Sequence, residues 1–193
     1  MCSSDLISGD FWLPDAAPLP LSQSLLAAEM GMNLQMALGW RRHVLLHASS
    51  VEKDGKALLM TGLSGSGKST LSAMLAEKGW RFMGDEFALL CPDTGMVHPF
   101  PRLISLKNEA IVAMVTAAPS GRFGPLMEDT PKGDIRHLVP PVEALKSMNQ
   151  PAKPALLLFP RFGHEAEIRD MGKSEIFVRL TQASTNYVAL GEG

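Results

Sequence analysis

One segment restricts the folds open to this 193-residue chain more than any other: Gly62-Leu63-Ser64-Gly65-Ser66-Gly67-Lys68-Ser69, a complete GxxxxGK[ST] phosphate-binding loop. Small residues at that spacing let the backbone curl so that successive N–H groups point inward at anionic oxygens. A helix starting at the end of the loop adds partial positive charge beneath the same anion. Lys68 then supplies a full charge to the β- and γ-phosphates, and Ser69 a hydroxyl for Mg²⁺. Both flanks fit. Lys56 to Thr61 reads as a short buried strand. Thr70 to Lys78 reads as a helix with Leu71, Met74 and Leu75 on one face and Gly79 as its stop. A chance Gly/Ser-rich turn would carry neither flank. The expected ligand is ATP with Mg²⁺, and the expected contacts are Gly62 to Ser69 together with Thr70.

A phosphoryl-transfer site also needs a carboxylate for the metal or for the attacking hydroxyl. Asp85 and Glu86 are the candidates, because they end the apolar stretch that follows the loop helix. In a parallel α/β sheet, the strand after that helix brings its C-terminal end beside the phosphate loop. Ser69, Asp85 and Glu86 are the candidate metal ligands, and oxygen donors of this kind suit Mg²⁺. His47 is a third candidate, although a single histidine on an apolar strand is more often an ordinary core residue. The spacing of His43 and His47 gives no zinc site, since no third ligand lies nearby in sequence. Arg102, Lys107, Lys132, Arg136 and Arg161 are scattered cations that can stabilise transition-state charge. Lys107 and Lys132 stand out by their polar or Gly/Pro-shaped turns.

Bulk properties exclude several classes. Hydrophobic residues make up 46% and charged residues 20%, which excludes a disordered chain. The net charge of −2 shows no basic bias towards nucleic acid or a membrane surface. Apolar runs such as Ala155 to Phe159 are far shorter than the ~20 residues that span a bilayer. The first residues have no basic segment followed by an apolar one, so no secretory signal is read. Cys2 and Cys91 form no disulfide framework, and Cys91 reads as a small core residue. These features point to the cytoplasm.

Along the chain, residues 1–20 read as an irregular arm. Ser22 to about Leu38 reads as a helix with Leu25, Leu26, Met30, Leu34, Ala37 and Leu38 near one face, and Gly39 can end it. The expected division is an N-terminal arm and helix over 1–40 and a P-loop domain over 41–193. Arg42 to Glu52 reads as a strand, and Asp54-Gly55 as the hairpin turn into the strand before the loop. Trp80 to Cys91 reads as two strands broken at Gly84-Asp85-Glu86. Pro92 to Gly95 is a turn, followed by a short strand within Met96 to Phe100. Residues 103–118 mix strand and helix signals. Residues 119–141, rich in Pro and Gly, read as a long loop, functional or mobile. Leu156 to Pro160 reads as a buried strand, Ala166 to Arg169 as an edge strand, and Lys173 to Leu180 as helix or strand.

Three blocks together resemble the C-terminal catalytic domain of HPr kinase/phosphorylase: Leu46-His47-Ala48 before a turn, Gly62 to Thr70, and Gly79 to Glu86. Phe100 to Glu109, Asp129 to Gly133 and Phe159 to Phe162 look like the divergent subgroup called HprK-related kinase A. The resemblance implies an α/β fold of the P-loop kinase type shared with phosphoenolpyruvate carboxykinase, with a mixed β-sheet and flanking helices. It also implies ATP and Mg²⁺ as cofactors. It places the catalytic acid/base on Asp85, the second acid on Glu86 and the active-site histidine on His47. Asp-Glu stands where the family has Asp-Asp, and Ala48 where it has Gly. The Glu-x-Arg-Gly segment is missing. The family forms ring-like hexamers, which implies a homo-oligomer, although no interface signal is read here. The subgroup pattern breaks off within Tyr187 to Gly193, as expected of a truncated chain. The expected activity is transfer of the γ-phosphate of ATP to a hydroxyl, of a Ser or Thr on a small protein in the first instance. A small-molecule kinase and a catalytically weak ATP-binding switch are the alternatives.

Overall fold

The computed structural model describes residues 19–165 and 167–190. The expected arm over 1–20 falls almost wholly outside them, as do Cys2, Ala166 and residues 191–193. A 3₁₀ turn at Leu21–Gln23 leads into helix α1 (Ser24–Gly39). Strands β1 (Val44–Lys53) and β2 (Lys56–Thr61) form an antiparallel hairpin, paired from Lys53–Lys56 to Ala48–Thr61. Its two-residue turn has positive φ at Asp54 (53°) and Gly55 (76°), the geometry that Asp-Gly suits. Helix α2 (Lys68–Glu77) follows the glycine-rich loop, and strands β3 (Arg81–Gly84) and β4 (Phe87–Leu90) follow α2.

The main sheet has six strands in the order β5-β4-β1-β2-β9, with β3 also on β1; β5 is Val97–His98 and β9 is Lys153–Leu158. Only the β2–β9 pair is parallel among the described pairings of this sheet, so the molecule is mixed α/β with flanking helices. The long strand β1 carries β2 on one side and β3 and β4 in tandem on the other. Both faces of its centre are covered. Val51, Leu58, Met60 and Phe82 pack with Ala73 of α2 and Met114 of α3 (Glu109–Ala117). Ala48, Ala57, Leu59 and Met83 pack on the opposite face. Burial on both faces explains why β2 reads as an unbroken apolar run rather than an alternating one.

Residues 119–141 are not the expected long loop. They hold β7 (Phe123–Thr130) and β8 (Gly133–Leu138), a hairpin that joins β6 (Ile104–Lys107) in a second, antiparallel sheet of order β6-β8-β7. The prolines and glycines sit at its turn and irregular steps, while Ile135 and His137 point inward from β8. Helix α1 lies on this sheet by a narrow stripe. Leu26 is buried with Met127 and Ile135, but Leu25, Met30, Leu34 and Leu38 stay largely exposed.

Two further differences are local. Strand β9 forms at the sheet edge, so Leu156 is exposed rather than buried. Residues 167–169 form no strand. Lys173–Ala183 is helix α5, between α4 (Val142–Lys146) and the final turn α6 (Tyr187–Leu190). Cys91 is half-buried. No helix among the described residues is long and apolar enough to cross a membrane.

Candidate functional site

The site sits at the end of the main sheet where β2 and β3 finish. Both strands are antiparallel to β1, so they run in the same direction with β1 between them. Thr61 lies opposite Ala48 and Gly84 opposite Ser50. The loop leaving β2 and the acidic pair leaving β3 therefore emerge together. The expectation of a parallel sheet placed Asp85 at this end by a different route; an interposed antiparallel strand does it here.

The loop takes the form its composition predicts. Gly67, at φ 94°, is the N-cap of α2 and has no side chain to cap the helix. The first N–H groups of α2 thus have neither helical nor side-chain acceptors and face the curl of the loop. Gly62 adopts φ 151°, and a Cβ there would press on the Ser66 hydroxyl at 3.3 Å. That hydroxyl is buried without a hydrogen-bond partner. Lys68 folds back over the loop, its Nζ donating to the carbonyls of Gly62 (2.8 Å) and Leu63 (3.0 Å). Leu63 itself points to solvent, and Ser64 and Gly65 form the exposed tip. The uncapped helix, the orphaned hydroxyl and the lysine together fit a polyphosphate.

Asp85 is buried beside this loop. Ser69 donates its hydroxyl to Oδ1 of Asp85 at 3.1 Å, and Ser49 of β1 donates to the same oxygen. Burial pushes the Asp85 carboxyl above its ordinary range; the two serine hydroxyls pull against this, and the nearby Glu86 charge adds to it. Burial also lowers Lys68, with Lys107 acting in the same direction and Asp85 and Glu86 opposing. The lysine and both acids are thus close enough to feel one another. Glu86 adopts a left-handed backbone with φ 76°, and its carboxylate approaches Nδ1 of His47 at 3.7 Å. His47 is half-exposed on β1, and its carbonyl accepts from the Thr61 hydroxyl. It stands at the rim of the site rather than in the core.

Among the described residues, no group of three or more His, Cys, Asp or Glu side chains is arranged to hold a metal ion by itself. Ser69 and Asp85 are the oxygen donors that fit Mg²⁺, which commonly binds through one or two carboxylates and substrate phosphates. Glu86 is turned to His47 instead of Ser69.

Beyond the acidic pair a cleft opens, walled by Glu29 and Asn33 of α1, by Arg102, and by Lys107 at the end of β6. Lys132, from the β7–β8 turn, lines it as well, along with Asp85 and Glu86. Of the five scattered cations, three converge here. Arg136 instead donates to the Gly124 carbonyl and stacks on Phe123, and Arg161 is exposed. Sequence reasoning missed Ser49, whose signal is a hydroxyl inside a buried apolar strand. It also missed Glu29 and Asn33, which carry no local signal. The backbone of Phe162 donates to the Ser66 carbonyl at 3.3 Å and closes the outer side of the loop. The chain matches no protein-family model, no curated protein and no solved structure.

Proposed function

We propose that this protein is an ATP-dependent phosphotransferase of the HPr serine kinase type, acting on a hydroxyl acceptor. The observation that carries the reading is the Ser69–Asp85 contact, which ties a buried carboxylate to the first turn of the helix behind the phosphate loop. The loop amides and Lys68 hold the triphosphate. Asp85 takes the proton of the acceptor hydroxyl as its oxygen bonds to the γ-phosphorus. The bond from that phosphorus to the β–γ bridging oxygen breaks, and ADP leaves. A carboxyl whose proton affinity is raised by burial is suited to this work. Mg²⁺, held by Ser69 with Asp85, would offset charge on the phosphates when bound.

The test is Asp85→Asn. It should keep ATP binding and reduce phosphate transfer by about 10²–10³-fold or more, the scale of losing one electrostatic or proton-handling group. Transfer at the native rate would overturn the assignment.

A further inference from the structure

The phosphate loop has two flanks, and the acids occupy one of them. Across the main sheet the order is β3, β1, β2, β9, since β3 and β2 lie on opposite sides of β1 and β9 lies beyond β2. Strand β9 is parallel to β2, with Leu158 beside Met60. The segment leaving β9 therefore emerges at the same end of the sheet as the loop, on the flank away from Asp85.

That segment, Phe159 to Gly163, runs along the loop from its first glycine to its last. The Pro160 carbonyl lies 3.8 Å from the position a Cβ on Gly62 would take. The Phe162 N–H donates to the Ser66 carbonyl at 3.3 Å, and the Phe162 Cβ lies 3.5 Å from the position a Cβ on Gly67 would take. The backbone that carries Phe162 is thus attached to the phosphate loop itself. Its side chain has no such attachment. Phe162 is 76% exposed, although it stands beside the first turn of α2. Phe159, in the same segment, is covered by the Arg179 guanidinium at 5.1 Å. Among the described residues no cation and no second aromatic ring covers Phe162. A large apolar ring is therefore held in water at the edge of an anion site, and it adds nothing to the core.

Resting on the phosphotransferase reading above, we propose that Phe162 is the platform on which the adenine ring of ATP stacks. With its transferring end at Asp85, the triphosphate runs across the loop and carries the nucleoside to the β9 flank, where Phe162 stands. An aromatic ring suits a base because every base has a flat π-face, and the contact needs no hydrogen-bond readout. The same reasoning gives the site little power to tell adenine from guanine.

The experiment compares two ligands that share the phosphates and differ in the base: ATP and inorganic tripolyphosphate, each with Mg²⁺, bound to the whole chain and followed by calorimetry. The native protein should bind ATP more tightly than tripolyphosphate. Phe162→Ala should raise the Kd of ATP about tenfold, within the range that a base–aromatic stack contributes, and leave that of tripolyphosphate within about twofold. Phe162→Trp should retain ATP affinity. Its added fluorescence, taken as the difference from the native chain with its three tryptophans, should change with ATP and not with tripolyphosphate. An ATP affinity unmoved by Phe162→Ala would overturn the platform. A loss shared equally by both ligands would also overturn it, since Phe162 would then act only by shaping the loop. Tripolyphosphate bound as tightly as ATP by the native chain would remove any base subsite and leave the phosphate site standing. Binding of neither ligand would overturn both readings.

Discussion

The hydroxyl of Ser69 and the carboxylate of Asp85, 16 residues apart in sequence, meet at 3.1 Å across the junction of a helix and a strand. The contact joins the two chemical halves of the site. It also places an ionisable acid in a fully covered position, which makes its effects measurable in both stability and rate.

Asp85 holds its proton more tightly when folded than when unfolded, because burial opposes its charge. The folded state therefore binds the extra proton between the two pKa values, and stability falls as pH rises from the ordinary carboxylate value of about 4 through the raised one. Asp85→Asn removes that slope. The variant should melt above the native protein at neutral pH and lose the advantage in acid. Thermal melts across the pH range check it, and an unchanged or lower neutral melting temperature would count against a buried charge.

The same shift governs rate. Asp85 must be ionised to take a proton, so transfer should rise with pH through a pKa above that of a free aspartate. A kcat/KM profile in the acid range, taken with saturating Mg²⁺, locates the limb. A limb at the ordinary carboxylate value would place the base elsewhere.

Gly67→Ala tests the loop. At φ 94° an L side chain is strained, and its Cβ would sit 3.5 Å from Phe162. The strain costs about 1–2 kcal/mol, and relief would move the first N–H groups of α2 off the phosphates. ATP affinity, read by equilibrium binding of a fluorescent nucleotide, should drop roughly tenfold or more. Native affinity would mean the loop does not use those amides.

Much of this arrangement was legible in the residues. Gly62 to Ser69 announced the loop, Asp54-Gly55 the hairpin, and Gly84-Asp85-Glu86 the break between two strands, because each depends on local backbone chemistry. The route by which Asp85 reaches Ser69 was not legible, since it depends on which strand lies between β2 and β3. The β7–β8 hairpin was hidden because its prolines and glycines are spread along it, masking the alternation around Ile135 and His137. Glu29 and Asn33 were invisible as site residues for another reason. Only tertiary packing of α1 brings them near Asp85, some fifty positions further along the chain.

Strand β1 also fixes a polarity. The candidate site lies where β2 and β3 end, while the tight connection at Asp54-Gly55 lies at the opposite pole, open to solvent. That pole is the natural anchorage for a dye, a surface tether or an inserted peptide, since a load applied there leaves the working end facing outward and unobstructed.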